Sequence, residues 1–256
     1  MNFQRSLPLQ HLEQSGSQYA FYFSTPGESA IFQANHEVFY SASMIKVPIL
    51  LAWLHLERAG LVNRAELCDL DAEPQVQGAG FSWLLRARML PYQDILLMMI
   101  SLSDNLCTNL VIRRAGLERL NLVFHDVLGL TGTHLERKLF DYEARERGLD
   151  NWISARDCIR LYQLIQTLEP AERAWVNSML EVNQDDALLK RSIPRDTLTF
   201  YHKTGSITQV LHDWGYTDRC QIFLLTQNVP DEAAMFEIFG ELGRWMIQPP
   251  GSPQVE

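Results

Sequence analysis

Ser43-Met44-Ile45-Lys46 puts a nucleophile and a base at a workable spacing. Residues three apart on a helix share a face, so the Ser43 hydroxyl and the Lys46 amine come within contact range. A serine hydroxyl is a weak nucleophile until a base takes its proton. A lysine serves as that base when burial or a neighbouring positive charge lowers its pKa. If Ser43 opens a helix, its backbone N–H also points toward a developing oxyanion. Taken alone, the spacing reads as a capping serine and a surface lysine. It is the only Ser-x-x-Lys pair in the chain, however, and it runs into the apolar stretch Val47-Pro48-Ile49-Leu50-Leu51.

Two further groupings bear on the same chemistry. Ser103-Asp104-Asn105 sets a hydroxyl and a carboxamide two residues apart, one to shuttle a proton and one to hold an amide. The same residue types make helix N-caps, and Asp104 reads as the structural member. Lys203-Thr204-Gly205-Ser206 brings a positive charge, two hydroxyls for a substrate carboxylate and a glycine that admits close backbone approach. Taken alone, it reads as a strand end followed by a turn.

Each grouping occurs once, in this order. The trio resembles the signature of the serine β-lactamases and penicillin-binding proteins, most closely the class A β-lactamases. Asn109, four residues after Asn105, extends the likeness, and so does the run 183–194 ahead of Lys203. The resemblance covers roughly residues 18–247 and implies roles for this sequence. Ser43 would be acylated, with Lys46 as its base. Ser103 would pass a proton to the leaving nitrogen. Asn105 would hold the substrate amide and help position Lys46. Lys203, Thr204 and Ser206 would meet the substrate carboxylate beside Gly205. The N–H groups of Ser43 and Ser206 would form the oxyanion hole. The like charge of Lys203 would favour a neutral Lys46.

One position departs from the pattern. Class A enzymes carry a loop glutamate that activates the deacylating water. The matching run is Thr133-His134-Leu135-Glu136-Arg137-Lys138, and the next residue is Leu139. Asp141 and Glu143 stand nearby, displaced along the loop. The expected function is therefore hydrolysis of β-lactam amides, or a related amide or ester, through a Ser43 acyl-enzyme. The alternatives are a penicillin-binding or sensor-like protein that is acylated but turns over slowly, and a cytoplasmic esterase.

These residues need elements to position them. Apolar alternation predicts strands at 19–24 and 30–35 around Thr25-Pro26-Gly27, and again at 197–202, 209–216 and 221–226. Helical periodicity predicts helices at 43–59, 92–101, 105–114, 117–127, 154–168, 170–180 and 231–247. The fold class is α+β, an antiparallel sheet flanked by helices with an inserted all-helical lobe. Residues 1–42 and 196–256 would form the α/β lobe and 43–195 the helical lobe, with the site between them. A loose tail is expected at 249–256.

The net charge of −9 over 256 residues argues against a nucleic-acid partner. The basic cluster at Arg137, Lys138, Arg145 and Arg147 is interspersed with acids and reads as a solvated face. Cys68, Cys107, Cys158 and Cys220 are widely spaced and imply no disulfide framework. The histidines lack metal-site spacing, so no metal or cofactor is called for. No G-x-S-x-G elbow occurs, and His212-Asp213 reads as a surface pair on a strand. No membrane span or signal segment is visible. The expectation is a monomer acting on a small molecule in the cytoplasm, or an exported one whose leader has been removed.

Overall fold

The computed structural model describes residues 7–250. Helix α1 (Leu7–Gln14) leads into strands β1 (Gln18–Ser24), β2 (Ile31–Ala34) and β3 (Val38–Tyr40). A 3₁₀ turn, Ala42–Ile45, then feeds α2 (Lys46–Arg58). The middle of the chain holds β4 (Leu67–Asp69), β5 (Met89–Pro91), α3 (Tyr92–Ser101), α4 (Asn105–Ala115) and α5 (Leu117–Leu122). After these come α6 (Tyr142–Glu146), β6 (Trp152–Ser154), α7 (Ala155–Gln166) and α8 (Pro170–Glu181). The chain closes with β7 (Tyr201–Ile207), β8 (Val210–Tyr216), β9 (Gln221–Gln227) and α9 (Glu232–Gly243).

Five strands make one antiparallel sheet in the order β2-β1-β9-β8-β7, so strands from both ends of the chain lie side by side. Every residue of β8 and β9 is buried, because both faces of the sheet are covered. One core packs Phe21, Phe23, Ile222 and Leu224 with Leu12, Phe239 and Trp245, from α1, α9 and the turn after α9. The other packs Ala20, Trp214, Phe223 and Leu225 with α2 and the central helices. This is the α+β class the sequence predicts.

α2 is apolar on all sides, as a helix buried in the middle of a domain should be. Pro48 is its third residue, where a missing N–H costs no helical bond. Gly60, at φ +70°, follows the C-cap. Ser154 and Asp231 cap α7 and α9 with their side chains.

Several expectations are corrected. Ser43 lies in the 3₁₀ turn before α2 and not in the α-helix itself. Residues 197–200 are not strand. β7 begins at Tyr201, so Lys203-Thr204-Gly205-Ser206 lies inside the strand and not at its end. The helix read at 117–127 turns into a π-turn over Val123–Val127. α9 stops at Gly243, with a 3₁₀ turn Arg244–Met246 beyond it. Gly243 sits where any Cβ would run into the Leu189 carbonyl, so the backbones are in contact there. Of the tail, residues 251–256 lie outside the described residues, as do residues 1–6 at the other end.

His212 and Asp213 are fully buried, not on the surface. Both faces of the sheet are packed along β8, so no residue on it has a solvent face. All four cysteines are free and buried. No helix among the described residues is long and apolar enough to cross a membrane.

Candidate active site

The sheet order leaves β7 as an edge strand. An edge strand points alternate N–H groups away from its neighbour. Here that edge packs against the Ala42–Ile45 turn. Gly205 makes the approach possible, since a Cβ there would lie 3.0 Å from both the Ser43 and the Met44 backbone nitrogens. Ala42 precedes Ser43 at φ +44°, a left-handed conformation that is costly for alanine. The turn is sharp as a result, and Ser43 reaches a cavity of about 540 Å³.

Lys46 opens α2 beneath Ser43 and is fully buried. Its Nζ lies 2.9 Å from Ser43 Oγ, 3.0 Å from Ser103 Oγ, 2.6 Å from the Ser103 carbonyl and 3.0 Å from Asn105 Oδ1. Burial pushes its pKa well below the ordinary lysine value, and the charge of Lys203 adds to the effect. Asp104 and Cys107 pull weakly the other way. Desolvation therefore does more than the like charge to free the amine as a base.

Ser103 occupies the joint between α3 and α4 at φ +55°. The N–H groups of Leu102 and Asp104 on either side of it both return to the Met98 carbonyl, which fixes the bend. Asp104 then caps α4 through Cys107 N and receives Ser82 N and Oγ, a structural role in line with its reading above. The bend turns the Ser103 hydroxyl toward two amines, 3.0 Å from Lys46 Nζ and 3.1 Å from Lys203 Nζ. Lys203 is itself fully buried, donating to the Thr204 carbonyl, and burial lowers its pKa to about 8. Thr204 and Ser206 line the cavity above it.

Asn105 is committed at both ends. Its Oδ1 accepts from Lys46, and its Nδ2 donates to the Gln77 carbonyl. Holding a substrate amide would mean sharing or displacing the second bond. Gly80, two residues beyond Gly78, comes so close to Asp104 that a Cβ there would lie 2.1 Å from its carboxylate.

The opposite wall is the 137–150 loop. Asn109 clamps Leu139 by donating to its carbonyl at 3.0 Å and accepting from its N–H at 2.8 Å. Leu139 lines the cavity, and Glu136, Asp141 and Asp150 around it are engaged elsewhere. Asp150 binds Arg137 at 2.6 Å, with Arg145 at 3.4 Å. Glu136 receives Asp150 N and Trp152 Nε1. Asp141 caps α6 through Ala144 N. Neither Asp141 nor Glu143 is among the residues that line the cavity. The basic cluster is thus only partly a solvated face, because Arg137 and Lys138 tie the loop down through Asp150 and Glu73.

Behind Lys203, on the far face of the sheet, His202 Nδ1 and Asp213 Oδ1 meet at 3.0 Å, both fully buried. Burial opposes a charge on His202, but Asp213 and Asp186 outweigh it and raise its pKa. His212 is the contrast. Burial lowers its pKa to about 4, and its Nε2 donates to the Tyr40 carbonyl.

The residues singled out from sequence therefore meet in one place. Tyr40, Phe81, Phe140 and Tyr142 also line the cavity but belong to no motif, and Arg145 and Asp185 line it although the sequence placed them only in a basic cluster and in the run 183–194.

The profile of the group described as "Beta-lactamase enzyme family" matches residues 6–247. Among solved structures, the chain is similar to a beta-lactamase from Sphaerobacter thermophilus DSM 20745, at 26% identity over 94% of each chain and a TM-score of 0.82. It is similar to PBP-A at 24% identity over 95% of each chain, TM-score 0.81. A class A beta-lactamase from Mycobacterium abscessus shares the fold at 16% identity, over 96% of this chain and 98% of that one, TM-score 0.80. No curated protein sequence matches.

Proposed function

This chain belongs to the beta-lactamase enzyme family, and from that premise we propose that it is a serine hydrolase acylated at Ser43 by β-lactams or related amides and esters. The observation that carries the reading is the contact between the fully buried Lys46 Nζ and Ser43 Oγ at the edge of the cavity, 2.9 Å apart. Neutral Lys46 takes the Ser43 proton as Oγ attacks the substrate carbonyl. The oxyanion faces the backbone N–H groups of Ser43 and Ser206, at the seam that Gly205 keeps narrow. Ser103 gives its proton to the departing nitrogen and regains one from the ammonium of Lys46, 3.0 Å away. Thr204 and Ser206 meet the substrate carboxylate, with the charge of Lys203 below. We take the site to lie between an α/β lobe, 1–42 with 196–256, and a helical lobe, 43–195.

Leu139 favours a second reading for the later half of the cycle, a penicillin-binding or sensor-like protein whose acyl-enzyme persists. Its backbone is clamped by Asn109, and of the nearby loop carboxylates Glu136, Asp141 and Asp150 are bound elsewhere while Glu143 does not line the cavity. Intact-mass spectrometry after mixing with a penicillin tests both readings, with Ser43→Ala as control. An adduct on the unmodified chain alone supports acylation at Ser43, and its lifetime separates hydrolase from sensor. Absence of both adduct and drug consumption would overturn the β-lactam reading.

A further inference from the structure

The charged side chains that line the cavity are Arg137, Arg145, Asp150 and Asp185. The first three lie on the 137–150 loop, across the cavity from Lys203, where Asp150 pairs with Arg137 and Arg145 and leaves one positive charge in excess. Lys46 and Lys203 are beneath the floor with no exposed surface. Near Lys203, therefore, the one ionised group on the cavity wall among the described residues is an acid.

Asp185 is fixed in that position by its neighbours. Asn183 donates to the His202 carbonyl, the residue before Lys203, and accepts from the Asp185 N–H. Gln184 N donates to the Ser101 carbonyl, two residues before Ser103. Asp185 thus sits on the seam where Ser103 and Lys203 meet, 3.1 Å apart. One carboxylate oxygen accepts from Ala187 N at 3.2 Å, and no cation pairs with it among the described residues. Its charge reaches Lys203, where it offsets part of the effect of burial.

We propose that Asp185 makes this site select substrates that carry a cationic group beside their carboxylate. The inference rests on acylation at Ser43. A substrate carboxylate seated on Thr204 and Ser206 approaches a like charge on the wall. An ammonium or pyridinium next to that carboxylate turns the repulsion into attraction. Zwitterionic amides and β-lactams are the class that fits.

The test compares second-order acylation rates of the full chain with two cephalosporins, one with a 3′-pyridinium and one with a neutral 3′-acetoxy group. The cationic-to-neutral ratio is the readout, because the contributions of Ser43, Lys46 and Lys203 largely cancel in it. Asp185→Asn should lower the ratio about fivefold, the effect of one charge across several ångströms of partly hydrated cleft. In the unmodified chain the ratio should fall as salt is raised from 20 to 500 mM, about a fivefold drop in Debye length. A ratio that neither substitution nor salt changes, with both compounds forming adducts, overturns the role of Asp185 and leaves Ser43 acylation standing. If neither compound forms an adduct, the acylation reading fails and the proposal with it.

Discussion

The floor of the cleft and the loop opposite it use polar residues in contrary ways. On the floor, Lys46, Ser103 and Lys203 bond mainly to one another, so their protons can move between them. On the loop and beside it, the acids nearest the cleft are bound to something that keeps them in place. Asp150 holds Arg137, Glu136 holds a backbone N–H, and Asp141 caps a helix. A buried polar group can be spent on structure or kept for chemistry. Under the proposed function, the attacking side has kept its groups for chemistry, while Glu136, Asp141 and Asp150 on the opposite side are spent on structure. On that reading, the two halves of an acyl-transfer cycle should respond separately to substitution.

Substitutions at the floor should produce the largest effects. Ser43→Ala should abolish the penicillin adduct in an intact-mass assay, and a surviving adduct would move the nucleophile elsewhere. Lys46→Ala should slow acylation by about 10²- to 10⁴-fold, the usual range for a positioned general base. A loss below tenfold would mean that another group takes the Ser43 proton.

The loop should respond in the other half of the cycle. Leu139→Glu should shorten the lifetime of the adduct at least about tenfold while leaving its formation within about threefold. Unchanged decay would show that the loop lacks more than a carboxylate, and the contrast drawn here would lose its simplest form.

The two lysines predict a sign for the pH dependence. Lys46, its pKa lowered by burial, is the base only when neutral, so acylation should fall as pH drops through its titration. Lys203, lowered to about 8, supplies its charge only below that value. Acylation by a carboxylate-bearing substrate should therefore decline again above about pH 8, giving a bell, while an ester without a carboxylate should keep its alkaline plateau. Alkaline limbs that match for both substrates would detach Lys203 from carboxylate recognition.

The smallest effect is on stability. Asp150→Ala strands the largely buried Arg137 and should cost about 2 kcal/mol in urea unfolding, less than for a fully buried pair. No measurable change would mean that the loop is held by Asn109 and Lys138 without Arg137.

Much of this was legible in the sequence because it is local. α3 runs over the predicted residues, and Ser154 and Asp231 cap helices as their types suggest. The start of β7 was misread because Thr197, Thr199 and the apolar residues between them alternate like a strand but have no neighbour to pair with. His212-Asp213 was misread because a polar pair looks exposed until both faces of its sheet are seen to be covered. The aromatic wall carried no signal, and Asp185 none of its own within the run 183–194, since lining a cavity has no sequence period.

By itself the sequence determined which groups are present and in what order. Ser43 and Lys46 share a face because three residues nearly complete a helical turn, whatever surrounds them. It also determined that position 139 holds no carboxylate. Only the tertiary structure decided what those groups are able to do. The pKa of Lys46 is lowered because the packed core removes water from its amine. Ser103 links two lysines because a left-handed bend and an edge strand bring residues 57 and 100 positions away against it. Desolvation and long-range proximity are properties of the packed chain, and no spacing in the sequence encodes them.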